Sequence, residues 1–237
     1  MLFRRLITLY FLLVLCEQCY GQEAESYRKY SDYIPVKAVE AGIVKGSNSK
    51  ILVAFFSRSG NTHVNADAVS SASLKINEDV TTTGNAEQIA EWVAQETGGD
   101  LFLIQTEYTY PVSYSQTVNV GEGQDIDDYY PVLASHVENI NQYDTIFLVY
   151  PIWHYTLPVP VCSFLNEYDF SGKKICVFTT HAGSYFADSI QRIQEAAPNA
   201  TVIKGIAINM REMTGAKDRV IDFIKPVLTE KFAIQRF

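Results

Sequence analysis

Ser57, Ser59 and Thr62 place three hydroxyls around Gly60 in the stretch "SRSGNT", directly after the apolar run "ILVAFF" at Ile51–Phe56. Hydroxyls, a glycine that lets the backbone come close, and main-chain N–H groups at a strand exit make an anion cradle, and phosphate is the anion they suit. Nearly the same letters return in "TTGNAE", Thr82–Glu87, at the head of a helix-like stretch. A helix start offers unpaired N–H groups and the positive end of the helix dipole. His63–Val80 shows no helical period, whereas the chain from Asn85 onward does. We therefore read one phosphate loop split by an insertion: Ser57, Arg58 and Ser59 come from the strand end, and Thr83, Gly84, Asn85 and Ala86 from the helix N-terminus. The plain alternative for the second copy is an ordinary N-cap on Thr83 or Asn85.

Two further stretches carry chemistry. "YPIWHYTLP", Tyr150–Pro158, puts a tryptophan, a histidine and two tyrosines after a buried-looking strand, with prolines that hold the backbone extended. These side chains suit a flat wall for an aromatic ring; Trp153 as a core anchor is the competing reading. "TTHAGSYF", Thr179–Phe186, has small residues at Ala182 and Gly183 whose N–H groups could meet a heterocycle edge, with Ser184 as a cap for the next helix. His181 has no carboxylate or cysteine near it in sequence, and no GxSxG elbow exists, so neither a metal site nor a nucleophilic triad is expected.

The elements that must position these loops alternate. Ile51–Phe56, Leu101–Gln105, Thr145–Tyr150, Lys174–Thr179 and Thr201–Ile208 are apolar throughout, as strands buried on both faces are. Helical spacing is expected over Asn85–Thr97, Tyr130–Asn141, Val159–Tyr168, Ser184–Ala197 and Ala216–Lys231. The alternation predicts an α/β domain with a doubly wound parallel sheet and helices on both faces, in which ligands sit beyond the carboxyl ends of the strands. Two segments, His63–Thr83 and Thr106–Tyr129, read as long loops, the second carrying an acidic "DIDD" at Asp125–Asp128 that reads as solvated.

The chain has 237 residues, enough for one sizeable domain. We expect residues 1–21 to be a signal peptide: Arg4 and Arg5 precede "LITLYFLLVL", a run shorter than the ~20 residues a membrane span needs, with cleavage before Gln22. Acylation of Cys16, as in a lipoprotein, ranks second because Leu15 is not small. A polar lead at 22–49 and a domain at 50–237 follow. Loss of Arg4, Arg5 and Glu17, a net +1, takes the formal charge from −8 to −9. Such an acidic chain argues against nucleic acid and suits basic protein partners. No transmembrane span is expected in the mature chain, which we place in the periplasm or outside the cell. Cys162 and Cys176 fit neither a metal knuckle nor a CxxC pair and read as buried thiols, with a disulfide left open.

The motifs "ILVAFFSRSGNT", "VYPIWHYTLPVPV", "SGKKICVFTTHAGS" and "APNATV" occur in register. With them the chain resembles the flavodoxin-like family, and in particular its exported bacterial FMN proteins, over Lys50 to about Lys231. The resemblance implies a five-stranded parallel sheet in order 2-1-3-4-5 and non-covalent FMN. It also implies that Ser57, Arg58, Ser59 and Thr83–Ala86 hold the phosphate. Pro151, Ile152, Trp153 and His154 would flank the isoalloxazine, and Thr180, His181, Ala182, Gly183 and Ser184 would close its other edge. His154 and Tyr155 stand where the family has Trp-Gly. The implied role is electron transfer, or flavin-dependent reduction, toward a redox partner protein or a small-molecule acceptor. The alternative is an exported binding module that keeps the fold without the cofactor. A second dinucleotide fingerprint is absent from the sequence, so no built-in NADPH domain is expected.

Overall fold

The structure, a computed structural model, describes residues 43–62, 74–76, 82–111 and 114–229. The signal-like segment 1–21 and most of the polar lead lie outside the described residues. Five strands, β1 (Asn48–Phe55), β4 (Gly99–Leu103), β5 (Thr145–Pro151), β6 (Lys174–His181) and β7 (Thr201–Asn209), form one sheet in the order β4-β1-β5-β6-β7. All four pairings are parallel. Counting sheet strands alone, this is the order 2-1-3-4-5. The remaining strands, β2 (Leu74–Ile76) and β3 (Thr82–Gly84), pair antiparallel within the insertion.

The helices are α1 (Asn85–Thr97), α2 (Tyr114–Ile126), α3 (Val159–Glu167), α4 (Ser189–Ala196) and α5 (Ala216–Leu228). Strand residues Val53, Phe55, Phe147, Val149 and Phe178 pack on one face with Ile89, Ala90 and Val93 of α1 and Val220 and Ile224 of α5. On the other face Phe102 meets Phe164 of α3, with ring centroids 5.9 Å apart. Burial on both faces is what makes the strands apolar throughout rather than alternating. Helix α1 stops where expected: Gly98 has φ 67, a left-handed cap that glycine adopts without strain, and its N–H reaches Ala94 O at 2.9 Å. Cys162 and Cys176 are buried free thiols, and burial pushes Cys162 up to about 11.

Two expectations fail in a linked way. Tyr130–Asn141 is not a helix; apart from the 3-10 turn Ile140–Gln142 it is irregular. Its apolar residues Leu133, Val137 and Ile140 have helical spacing and are buried, but its backbone bonds outward. Ala134 N–H donates to Gln105 O at 2.7 Å, and Glu107 N–H to Val132 O at 2.9 Å. Conversely, Tyr114–Ile126, read as loop, is α2. Its buried stripe is Thr117, Val120, Gly121 and Gln124, spaced i, i+3, i+4, i+7 but mostly not apolar, so hydrophobic periodicity does not register it. "DIDD" therefore begins inside a helix, where Asp125 pairs with Arg192 at 2.6 Å. The helix expected from Ser184 starts at Ser189 with Asp188 at its N-cap, so Ser184 does not cap it.

Candidate functional site

The carboxyl ends of β1 and β5 flank the point where strand order reverses, the place where open parallel sheets bind ligands. Behind β1, Phe56, Ser57 and Arg58 are fully buried. The rest of "SRSGNT" is tied to the exit of β4. Asn61 Nδ2 donates to Ser57 O (2.9 Å) and Ile104 O (3.1 Å), and its Oδ1 accepts the Thr106 N–H (2.9 Å). Gln105 Nε2 reaches Gly60 O at 2.7 Å. Gly60 has φ 85, and a Cβ there would lie 2.7 Å from Leu103 Cδ2, so only glycine fits without strain. Arg58 Nη2 donates to Pro111 O at 2.9 Å.

The second copy meets the first. Gly84, extended at φ −73 and ψ 135, is the N-cap of α1 and makes no side-chain cap. A Cβ at Gly84 would lie 2.9 Å from Ser57 Cβ and overlap Ser57 Oγ. Asn85 and Ala86 are buried beside it. Ser57 Oγ is itself buried, with no hydrogen-bond partner among the described residues. A buried hydroxyl without a partner costs free energy unless a ligand satisfies it. Here it stands at the start of a helix, and the chemistry of these donors fits a phosphate group. The structure thus brings Ser57, Gly84, Asn85 and Ala86 together, while the Arg58 guanidinium reaches Pro111. Ser59 is half-buried, and Thr83 lies in β3 opposite Lys75.

The aromatic wall is built from more residues than sequence reasoning found. Trp153 is half-buried and meets Phe56 edge-on (5.1 Å, 80°) and Tyr110 edge-on (5.2 Å, 81°). Tyr110 is held by its hydroxyl on Gln124 Oε1 at 2.7 Å. Helix α2 presses against the wall at Gly121, where a Cβ would lie 3.4 Å from Trp153 Cε3 and 3.6 Å from His154 Nε2. Gly121 and Gln124 were missed because α2 was, and Phe56 because it reads only as the end of a buried strand. The signal available was the polar stripe of that helix, together with "YTYP", which sets Tyr110 before a proline.

Trp153 and Thr156 exchange backbone hydrogen bonds around a two-residue turn. His154 (φ 48) and Tyr155 (φ 61) are both left-handed there, a conformation for which Asn-Gly is the favoured choice. Arg192 of α4 locks the arrangement, donating to Asp125 of α2 at 2.6 Å and to Thr156 Oγ1 at 2.7 Å. Pro151 and Ile152 are buried; Pro151 is in register with Thr180, and Ile152 N–H donates to Thr180 O at 2.8 Å.

After β6, Thr180 and His181 are buried while Ala182 and Gly183 are exposed and Ser184 is half-buried. The Gly183 N–H donates to His181 Nδ1 at 3.0 Å, so it is already engaged by its own chain. The His181 ring lies on Tyr185, with centroids 4.8 Å apart. Burial holds the His181 imidazole below its usual range, partly offset by Glu212 and a bond to the Ala207 backbone. No group of His, Cys, Asp and Glu among the described residues could hold a metal ion, and no described helix is long and apolar enough to cross a membrane.

Comparison with known proteins agrees with this architecture. The sequence model described as Flavodoxin matches residues 75–225. A candidate flavoprotein from Bacteroides uniformis is 24% identical with a TM-score of 0.56, over 74% of this chain and 97% of that one. One from Bacteroides eggerthii is 24% identical with a TM-score of 0.53, over 73% and 98%. A flavoprotein from Lactobacillus acidophilus, solved in complex with FMN, is 21% identical with a TM-score of 0.46, over 70% and 96%. Comparison with curated proteins yields no match. The two Bacteroides likenesses speak to the fold, and the family match rests on the sequence. With residues 75–225 matched and an all-parallel 2-1-3-4-5 sheet, the chain belongs to the flavodoxin family.

Proposed function

We propose that the protein is an FMN-binding flavoprotein that passes electrons, or reduces a small acceptor, at the carboxyl edge of its sheet. The observation that carries this is the buried, unpartnered Ser57 Oγ set against the N-terminus of α1. The Ser57 hydroxyl and the first N–H groups of α1 would hold the FMN phosphate, with Arg58 behind them and Trp153 against the ring system. FMN, when bound, supplies one- and two-electron chemistry. The residues of this chain bind and orient it: the edge contacts of Trp153, and the tie between Arg192, Asp125 and Thr156, keep the wall in place before the ligand arrives.

The test is a titration of the purified protein with FMN, followed by quenching of flavin fluorescence. Saturable quenching and a yellow holoprotein are expected. A colourless protein that ignores added FMN would support the second reading, a binding module of the same fold without the cofactor. That reading draws on the Gly183 N–H being taken up by His181, and on a Trp153 packed as a core side chain would be. Export is proposed as well, on the residues of segment 1–21. Mass spectrometry of protein made from its own N-terminus should find Gln22 first, and an acylated Cys16 there would mean membrane anchoring instead.

A further inference from the structure

The first turn of α1 already holds an anion of its own. Glu87, at the third helical position and half-buried, accepts the Gly84 N–H at 3.1 Å. This N–H lies at the helix end that faces the buried Ser57 Oγ. We propose that Glu87 is a built-in competitor for the phosphate of the flavin. Its carboxylate occupies one of the donors a phosphomonoester would use and repels the doubly charged group, so Glu87 sets how tightly, and how selectively, the phosphate end is held. The proposal rests on the flavoprotein reading above.

A helix N-terminus favours one negative charge at its amides. A second anion within a few ångströms adds like-charge repulsion, which a half-buried setting screens poorly. The crowding is already visible one turn on, where Glu91 is raised by burial and then by the charge of Glu87. Glutamine can accept the same N–H in a capping box, so Glu87→Gln removes the charge and keeps the cap.

The experiment compares the full chain with Glu87→Gln and Glu91→Gln, titrating each with FMN and with riboflavin, which lacks the phosphate. Glu87→Gln should tighten FMN about tenfold and leave riboflavin unchanged. Glu91→Gln, the same charge change one turn further from the helix start, should shift FMN by less than about twofold. Glu87→Ala provides a second variant with the same expected direction. Unchanged or weaker FMN binding by both Glu87 variants, or equal tightening of riboflavin, overturns the competitor role. Should none of the proteins bind either flavin, the flavoprotein reading itself has failed and this proposal falls with it.

Discussion

Gly60–Asn61 and Gly84–Asn85 share their letters and divide the labour between them. In the first pair the side chain serves the backbone. Asn61 satisfies two carbonyls and an N–H at the junction of β1 and β4, and Gly60 supplies a left-handed turn. In the second pair the backbone is the working part: Gly84 is small enough to let Ser57 stand at the mouth of α1. The Asn61 side chain is tied at both ends by internal bonds, and Gly84 abuts a hydroxyl that has none among the described residues. A saturated site stabilises the fold, whereas an unsatisfied one awaits a ligand.

Asn61→Ala tests the saturated copy hardest. It strips the partners from buried Ser57 O, Ile104 O and Thr106 N–H, at roughly 1–3 kcal/mol for each buried group left unpaired, and urea denaturation should show a loss of about 3–5 kcal/mol. A loss below about 1 kcal/mol would mean water replaces these bonds and the loop is not a clamp.

Ser57→Ala tests the other copy and should move two measurements in opposite directions. Hydrogen bonds to charged groups contribute about 1.5–3 kcal/mol, so FMN affinity should fall about tenfold to a hundredfold. The apoprotein should melt at the same temperature or a few degrees higher, because a buried unpaired hydroxyl has been removed. A lower apoprotein melt would show that Ser57 serves the fold, and the contrast between the copies would collapse.

Gly60→Ala sharpens the same contrast at smaller scale. Left-handed backbone costs an L-residue about 1–2 kcal/mol, with the Leu103 contact added, and the loss should be in stability alone. A matching loss of FMN affinity in the folded protein would move the phosphate to the first copy.

The amino end of the sheet supplies a saturated reference. Burial alone would raise the Asp100 carboxyl. Instead the Gly46 N–H (2.8 Å), Lys45 (2.9 Å) and the Tyr143 hydroxyl (2.7 Å) hold it below the usual range. A depressed native value means stability that is complete above the unfolded value of about 3.9 and is lost as pH falls through the native one. Denaturation midpoints of wild type and Asp100→Asn between pH 7 and pH 2 should show a shallower acid limb in the variant. Parallel limbs would show that Asp100 is not among the groups that drive acid unfolding.

Much of this was legible in the chain. The five strands follow from continuous apolar runs because a doubly covered sheet needs no alternation. Helix α1 follows from Ile89 and Val93 on one face and the Gly98 stop. What failed is instructive. Leu133, Val137 and Ile140 keep helical spacing in an irregular segment, because its buried side chains are set by the exit of β4 rather than by its own turns. Helix α2 hides because Thr117, Gly121 and Gln124 bury polar or minimal side chains, which no hydrophobic period can report.

By itself the sequence determined the sheet, its order of elements and the three loops that gather at its carboxyl edge, since those depend on local apolar runs and on connection rules that act along the chain. Only the tertiary structure decided which SGN-like copy clamps and which opens, that Tyr110 and α2 complete the wall, and that the Gly183 N–H belongs to His181. The reason is physical: whether a polar atom is satisfied depends on neighbours brought from far along the chain. Ser57 acquires its place beside Gly84 only when β1 and α1 pack together.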